Sequence, residues 1–436
     1  MGWARFPMGG RCNYNWQTML VTCLAMTAAV AAYGGAWSGN VTGEARLFPN
    51  SPLYPEQHGH NLSLALQAQY HHEWPDRKEH FIVEPFLRLD QHDHRRTHGD
   101  IRELYWHKIT SQWELRLGFR REFWGVAESQ NLVDIINQRD VVEGLGSDAK
   151  LGQLMLNFTW IQNWGTLDFY VLPLFRERTF AGRTGRFRTP VPMDFNNVRY
   201  ESGAREWHPD LAIRYKHYIG NLDIGLSHFS GTSREPRYLA RALGVSISPG
   251  SPLANLTGAR IDSPYIRLLQ RLPGARLIPF YDQIEQTGVD LQYILAGWVF
   301  RFEGIHRSGM GRTYTAMTAG VEYAFYSIFK SALDASVILE YMWDSRRRHA
   351  LTSFENDFFI GSRIAFNDVQ GTSMLGGMII DADSGAMAVG IEASRRLADD
   401  WRIRVEARMF ANVPPDDIMT TVRKDDYIQA ELTWFF

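Results

Sequence analysis

The sequence predicts an all-β fold: a closed antiparallel transmembrane β-barrel of about eighteen strands, with sixteen as the alternative count. Three observations carry the prediction. From residue 41 to the last residue, apolar and polar side chains alternate one by one over segment after segment, the period of a strand with two unlike faces. Beyond residue 36 nothing approaches the roughly 18 consecutive apolar residues that a spanning helix needs. The connections between segments alternate between short and long, as they do when hairpins close a barrel. A mean hydropathy of −0.28 beside 13% aromatic residues suits a chain whose lipid contact alternates residue by residue.

The first element is a leader. Arg5 and Arg11 form a positively charged start without acids, and Met19 to Ala32 is a short apolar run. Small residues around Ala29-Val30-Ala31 and up to Ala36 offer cleavage sites, so residues 1–36 read as a signal peptide and 37–436 as the barrel. Cys12 and Cys23 both fall in the leader, which leaves no disulfide or thiolate chemistry for the exported chain. The formal charge is −2, and losing Arg5 and Arg11 takes it to −4. No basic excess points to nucleic acid.

The strands follow in order. Leu62, Leu64, Leu66, Ala68 and Tyr70 make one apolar face, and Trp113, Leu115, Leu117 and Phe119 another. Leu154, Leu156, Phe158 and Trp160 come next, then Leu222, Ile224 and Leu226. Later faces are Leu333, Ala335, Val337, Leu339 and Tyr341, then Trp401, Ile403, Val405, Ala407 and Met409. Segments 41–48 and 79–90 carry the weakest pattern, the second because Pro85 interrupts it. Short turns fall at 73–78, 110–112, 163–165, Gly220-Asn221, 295–297, 328–330, 367–371 and 396–400. The other nine connections, the longest being 122–151, 177–209 and 231–285, then lie on the opposite, extracellular side, with 381–385 as short as a turn.

The final strand carries a resemblance. Ile428, Ala430, Leu432, Trp434 and Phe436 alternate with Tyr427, Gln429, Glu431, Thr433 and Phe435. A strand this apolar on one face and ending in Phe resembles the closing strand of a Gram-negative outer-membrane β-barrel. The resemblance implies that Trp434 and Phe436 serve as an assembly signal for the barrel-assembly machinery, with outer-membrane lipid as the surroundings. Phe123-Trp124-Gly125-Val126-Ala127-Glu128-Ser129 with Asp134-Ile135-Ile136-Asn137 is similar to a poorly characterised family of proteobacterial porin-like barrels. Tyr281-Asp282-Gln283-Ile284-Glu285-Gln286, Arg307-Ser308-Gly309, Phe354-Glu355-Asn356-Asp357 and Asn367-Asp368 fit the same likeness. It implies a channel and names no solute.

If apolar faces meet lipid, the intervening residues line the lumen: Glu114, Arg116, Arg120, Arg214, Lys216, Asp290, Gln292, Arg301, Glu303, Glu322, Asp334, Ser336, Glu340, Arg363, Arg402, Arg404, Glu406 and Arg408. An arginine facing lipid at mid-depth would cost roughly 2–4 kcal/mol, so so many of them argue for a wet interior. A barrel of this strand number leaves room for an aqueous channel. The third outer loop, 122–151, holds six acids (Glu122, Glu128, Asp134, Asp140, Glu143, Asp148) against Arg139 and Lys150. Residues 128–136 are predicted as a short amphipathic helix with Asn131 as its cap and Leu132, Ile135 and Ile136 as an apolar face. The loop resembles the inward-folded third loop of porins. Glu128, Asp134, Asp140 and Glu143 are then the acidic side of a constriction, and Arg116, Arg120, Arg402, Arg404 and Arg408 its basic side. Such crossed charges orient a hydrated solute. An extracellular lid and a partner-binding loop are the alternatives.

Nine of the fourteen histidines lie between His58 and His107. His92, His94 and His98 carry imidazole nitrogens that suit a divalent metal. Arg95 and Arg96 oppose a cation, so a polar exposed loop is expected there, with no metal and no cofactor. Ser227 and His228 are available for hydrolysis, but nothing places a base beside a nucleophile, and no enzyme is expected. The function read from the sequence is a porin for passive, substrate-selective passage of small hydrophilic or amphiphilic solutes across the bacterial outer membrane, with a homotrimer the common assembly at this size. A structural barrel, either an adhesin or a sheath for an electron-transfer partner, is the alternative.

Overall fold

The computed structural model describes residues 35–144, 149–242, 245–246, 269–311, 313–415 and 417–436. The expected leader lies outside the described residues, apart from its last two positions. So does the central part of the 231–285 connection.

Eighteen antiparallel strands form one sheet. Each pairs with its sequence neighbours in the wall, and the sheet closes where Ala36–Leu47 pairs with Tyr427–Phe435, from Asn40 opposite Phe435 to Leu47 opposite Ile428. Closure removes the unpaired edges that a greasy terminal strand would otherwise expose. The short connections link the strand ends at the predicted places, for example Ile219 to Leu222 and Leu295 to Trp298.

The interior is inside out relative to a soluble protein. Leu64, Leu117, Leu339 and Leu432 are exposed, whereas Glu44, Arg88, Glu303 and Glu340 are buried. Only a chain bathed in hydrocarbon outside gains from that exchange. Aromatic rings gather at the short-turn end. Trp160 meets Trp164 at 5.5 Å, Trp298 meets Tyr323 at 4.5 Å, and Trp434 meets Phe436 at 5.4 Å between ring centroids. These are the amphipathic rings of a membrane–water interface. The chain is therefore an outer-membrane β-barrel.

The strand Glu79–Asp90 keeps its place despite Pro85. The pairing shifts there: Glu84 faces Glu103 while Pro85 faces Ile101. Pro85 has no N–H for the ladder, and the extra residue on the partner strand is Arg102. A bulge re-aims the side chain it releases, and Arg102 turns into the lumen, where it reaches the third loop.

Outside the membrane, Arg199–Tyr200, Arg237–Ala242, Val245–Ser246 and Arg276–Tyr281 form a small sheet over the mouth. Phe175 and Val198 pack against its Tyr281.

Candidate functional site

The third loop folds into the lumen, but not as a helix. Residues 121–138 are irregular, and the reason lies in the wall. Glu303 accepts hydrogen bonds from the backbone N–H groups of Val126 (2.6 Å), Ala127 (2.9 Å), Leu132 (2.7 Å) and Val133 (3.3 Å). Glu340 accepts from those of Glu128 (2.8 Å) and Ser129 (2.7 Å). These amides precede or open the predicted helix, where no helical carbonyl would serve them; two fixed carboxylates gather them instead, in bonds about twice as strong as neutral ones. Gly125 permits the approach. Its φ is +112°, and a Cβ there would sit 2.6 Å from Glu303 Oε1.

The predicted apolar face survives in a different backbone. Ile135 and Ile136 of that face, with Val133 and Trp124, are buried against Met155, Tyr170, Leu172, Phe229, Ile284, Ile305 and Ala316, while Leu132 is only partly buried at the cluster's edge. With Ala212 of the same cluster, these wall residues occupy inward positions near the outer ends of seven consecutive strands. Gly288 leaves the space, since a Cβ there would lie 2.9 Å from Val133 Cγ1. Each buried aliphatic side chain contributes roughly 1.5–3 kcal/mol.

The far end of the loop is held by charge on the opposite wall. Asp140 is fully buried and takes Arg102 at 2.6 Å, Thr179 at 2.7 Å and His98 at 3.3 Å. Burial opposes its charge, but His98, Arg102 and Thr179 outweigh burial and hold the carboxyl well below the usual range. Glu143 pairs with Arg88 at 2.8 Å, and Arg88 also reaches Glu44 at 3.1 Å. Arg96 donates to the carbonyl of Val142 at 3.0 Å. From above, Arg234 donates to the carbonyl of Ile136 at 2.8 Å. The loop thus crosses the lumen, anchored at both walls.

The expected charge pairs are distributed unevenly. Glu128 meets Arg363 at 2.8 Å, a residue placed in the lumen but not among the opposing bases. Asp134 pairs with Lys150 of its own loop. Arg116 pairs with Glu114, and Arg120 with Glu122. Arg402 lies against Phe435 near the short-turn end, and Arg408 holds Glu406 at 2.6 Å. Of the five, Arg120 meets the loop at its first residue, Glu122, and Arg404, held on the wall by Glu392 and Glu431, faces the loop across a gap. With Glu431, Arg88, Arg121 and Lys150 it lines a cavity of about 250 Å³ that Glu143 borders from the loop side.

That cavity belongs to a wetter half of the lumen. Side chains of Arg363, Glu392 and Arg404 are 46%, 41% and 37% exposed, although all three point inward. Across the barrel Asp168, Arg214 and Asp290 are 4%, 7% and 6% exposed, and Lys216, which reaches Asp168 from nearer the short turns, is 44% exposed. Inward positions on the wet wall include Gly361, Gly377, Gly390 and Ser394, which take little space.

His92, His94 and His98 do not meet. His92 stacks on His58 at 3.7 Å, His94 is exposed, and His98 turns to Asp140. Ser227 and His228 lie on opposite faces of one strand: Ser227 is buried in the lumen and His228 bonds Glu285 at 3.1 Å outside. At the C-terminus, Phe436 exchanges two backbone hydrogen bonds with Gly39, both 3.0 Å, and Trp434 donates to Asp400 at 3.0 Å.

No protein-family model matches the sequence, and no curated protein sequence does. Among solved structures, a mutant of Rh. blastica porin is similar in fold, with 11% identity over 92% of this chain and 100% of its own, and a TM-score of 0.43. Wzi, described as a carbohydrate-binding β-barrel involved in group 1 capsule assembly in Escherichia coli, aligns with 95% of this chain and 87% of its own at 10% identity, with a TM-score of 0.49.

Proposed function

We propose that the chain is a passive, solute-selective channel of the outer membrane, narrowed by its third loop and conducting along the wall from Asn356 to Phe435. The observation that carries this reading is a difference in exposure between two sets of inward charges: Arg363, Glu392 and Arg404 stay hydrated while Asp168, Arg214 and Asp290 do not, with Lys216 near the short turns and Glu406 under its arginines as the exceptions on each wall. A charge left in contact with water inside a membrane protein marks an aqueous path. Glu128 opposite Arg363, and Glu143 across the cavity from Arg404, supply the crossed field of a constriction. Neither charge pair needs a catalytic cycle, and solute would follow its own gradient.

Purified barrel in planar bilayers tests this. Stepwise conductance is expected, smaller than that of an open barrel with this strand number because the loop fills half the bore. A folded barrel that stays silent would overturn the channel reading and favour the scaffold, for which the outer sheet offers a contact surface.

A further inference from the structure

We propose a divalent transition-metal site at the short-turn mouth of the lumen, formed by His71, Glu73 and His80. His71 and Glu73 end one strand and His80 begins the next, with Glu73 directly opposite His80 in the pairing. His71 is two residues along the same inward face. Nε2 of His71 lies 3.1 Å from Nδ1 of His80, and Nδ1 of His80 lies 4.0 Å from a carboxylate oxygen of Glu73. One donor atom from each residue lies within 4.8 Å of the others. Donors about 2.1 Å from a tetrahedral ion stand roughly 3.4 Å apart, so the two imidazoles are nearly placed and the carboxylate needs only a small rotation.

The chemistry selects the ion class. Two imidazole nitrogens and one carboxylate suit Zn²⁺, Ni²⁺ or Cu²⁺ rather than Ca²⁺ or Mg²⁺. Three protein ligands leave a position open to lumen water. His107 faces His80 from the next strand, ring centroids 5.8 Å apart, and is held by Glu114 at 3.2 Å; it stands where it can support a bound ion or its water. Among the described residues the cation paired with these three is Arg77, 3.2 Å from the other oxygen of Glu73 and on an almost fully exposed stem. The comparable group His98, Asp140 and Glu143 is different, because Arg102 and Arg88 already occupy its carboxylates.

Titration of tag-free barrel in detergent with Zn²⁺ by calorimetry, and with Co²⁺ by its visible absorption, tests the site whether or not the barrel conducts. One ion per barrel is expected for the wild type and for His98→Ala, and none for the His71→Ala, His80→Ala double variant. Glu73→Gln, the variant least disturbing to folding, should weaken binding about tenfold, the scale on which even supporting groups act. A wild type that binds no ion, or a stoichiometry indifferent to His71 and His80, would show that the pair shares only a hydrogen bond.

Discussion

On the wall running from Gln153 to Ala316, Asp168, Arg214, Asp290 and Glu303 are buried, Lys216 near the short turns stays exposed, and apolar residues of the third loop press against apolar residues of the strands. On the wall from Asn356 to Phe435, Arg363, Glu392 and Arg404 keep contact with water, Glu406 is buried beside Arg408, and Gly390 leaves open space whereas Phe359 covers Gly361 and Gly377. Both walls belong to one closed sheet and obey the same alternation, so strand pattern does not distinguish them. The difference comes from a single loop that fills one side. A lumen can therefore hold a protein-like core and a pore side by side, with the loop as the partition. Residues on the packed side set where the partition stands; residues on the open side meet the solute.

The largest break in this comparison comes from removing the carboxylates that hold the loop. Glu303→Ala with Glu340→Ala leaves six backbone amides without their partners, at roughly 1–3 kcal/mol for each that stays buried and unpaired. The barrel should still assemble, because its ladder is untouched, and unitary conductance should rise severalfold as the loop leaves its seat. Unchanged conductance would mean that the loop does not limit the bore. Ile136→Ala should cost about 2–4 kcal/mol, read as a lower unfolding midpoint, with ion selectivity intact.

Charge substitution sharpens the contrast. Arg404→Gln should move the reversal potential toward cations at a small cost in stability, since its side chain and that of Glu392 are partly exposed. Arg214→Glu should do the opposite, because it leaves Asp290 buried beside a second negative charge. Among the loop acids, Glu143→Gln should shift selectivity toward anions. Asp140→Asn should instead loosen the loop, its carboxylate being sealed between Arg102 and His98. The smallest effect on transport is expected at the C-terminus. Deleting Phe436 should lower the amount of assembled barrel, measured as the heat-modifiable form, with conductance per channel preserved.

Much of this architecture was legible in the sequence, because lipid outside and water inside impose a period of two that few other folds need. The alternation located the strands, and the turn lengths located the two ends. The loop was misread as a helix because its spacing, Leu132, Ile135 and Ile136, fits a helical face. Nothing local to it reveals that Glu303 and Glu340, more than 170 residues away, accept its amides. A signal was present in the strands. Inward positions near the outer rim carry Phe229, Ile284, Ile305 and Ala316 where a water-filled lumen calls for polar groups. Such a lapse in polar-inside patterning announces that something apolar packs there. Charge partners were the least legible part: Arg116 and Arg408 have acids beside them on the wall, Arg120 takes the first acid of the loop, Glu122, and such local pairing leaves little for the rest of the loop.

The division of the lumen into a dry and a wet half is tested most directly by thiol accessibility. The barrel has no cysteine of its own between Ala36 and Phe436, so Ser394→Cys on the open wall and Ser227→Cys on the packed wall can be compared in the same assembled protein. A small charged thiol reagent should modify Ser394→Cys rapidly and lower its conductance, and should leave Ser227→Cys largely unmodified until the barrel is unfolded. Equal rates at the two positions would contradict the account.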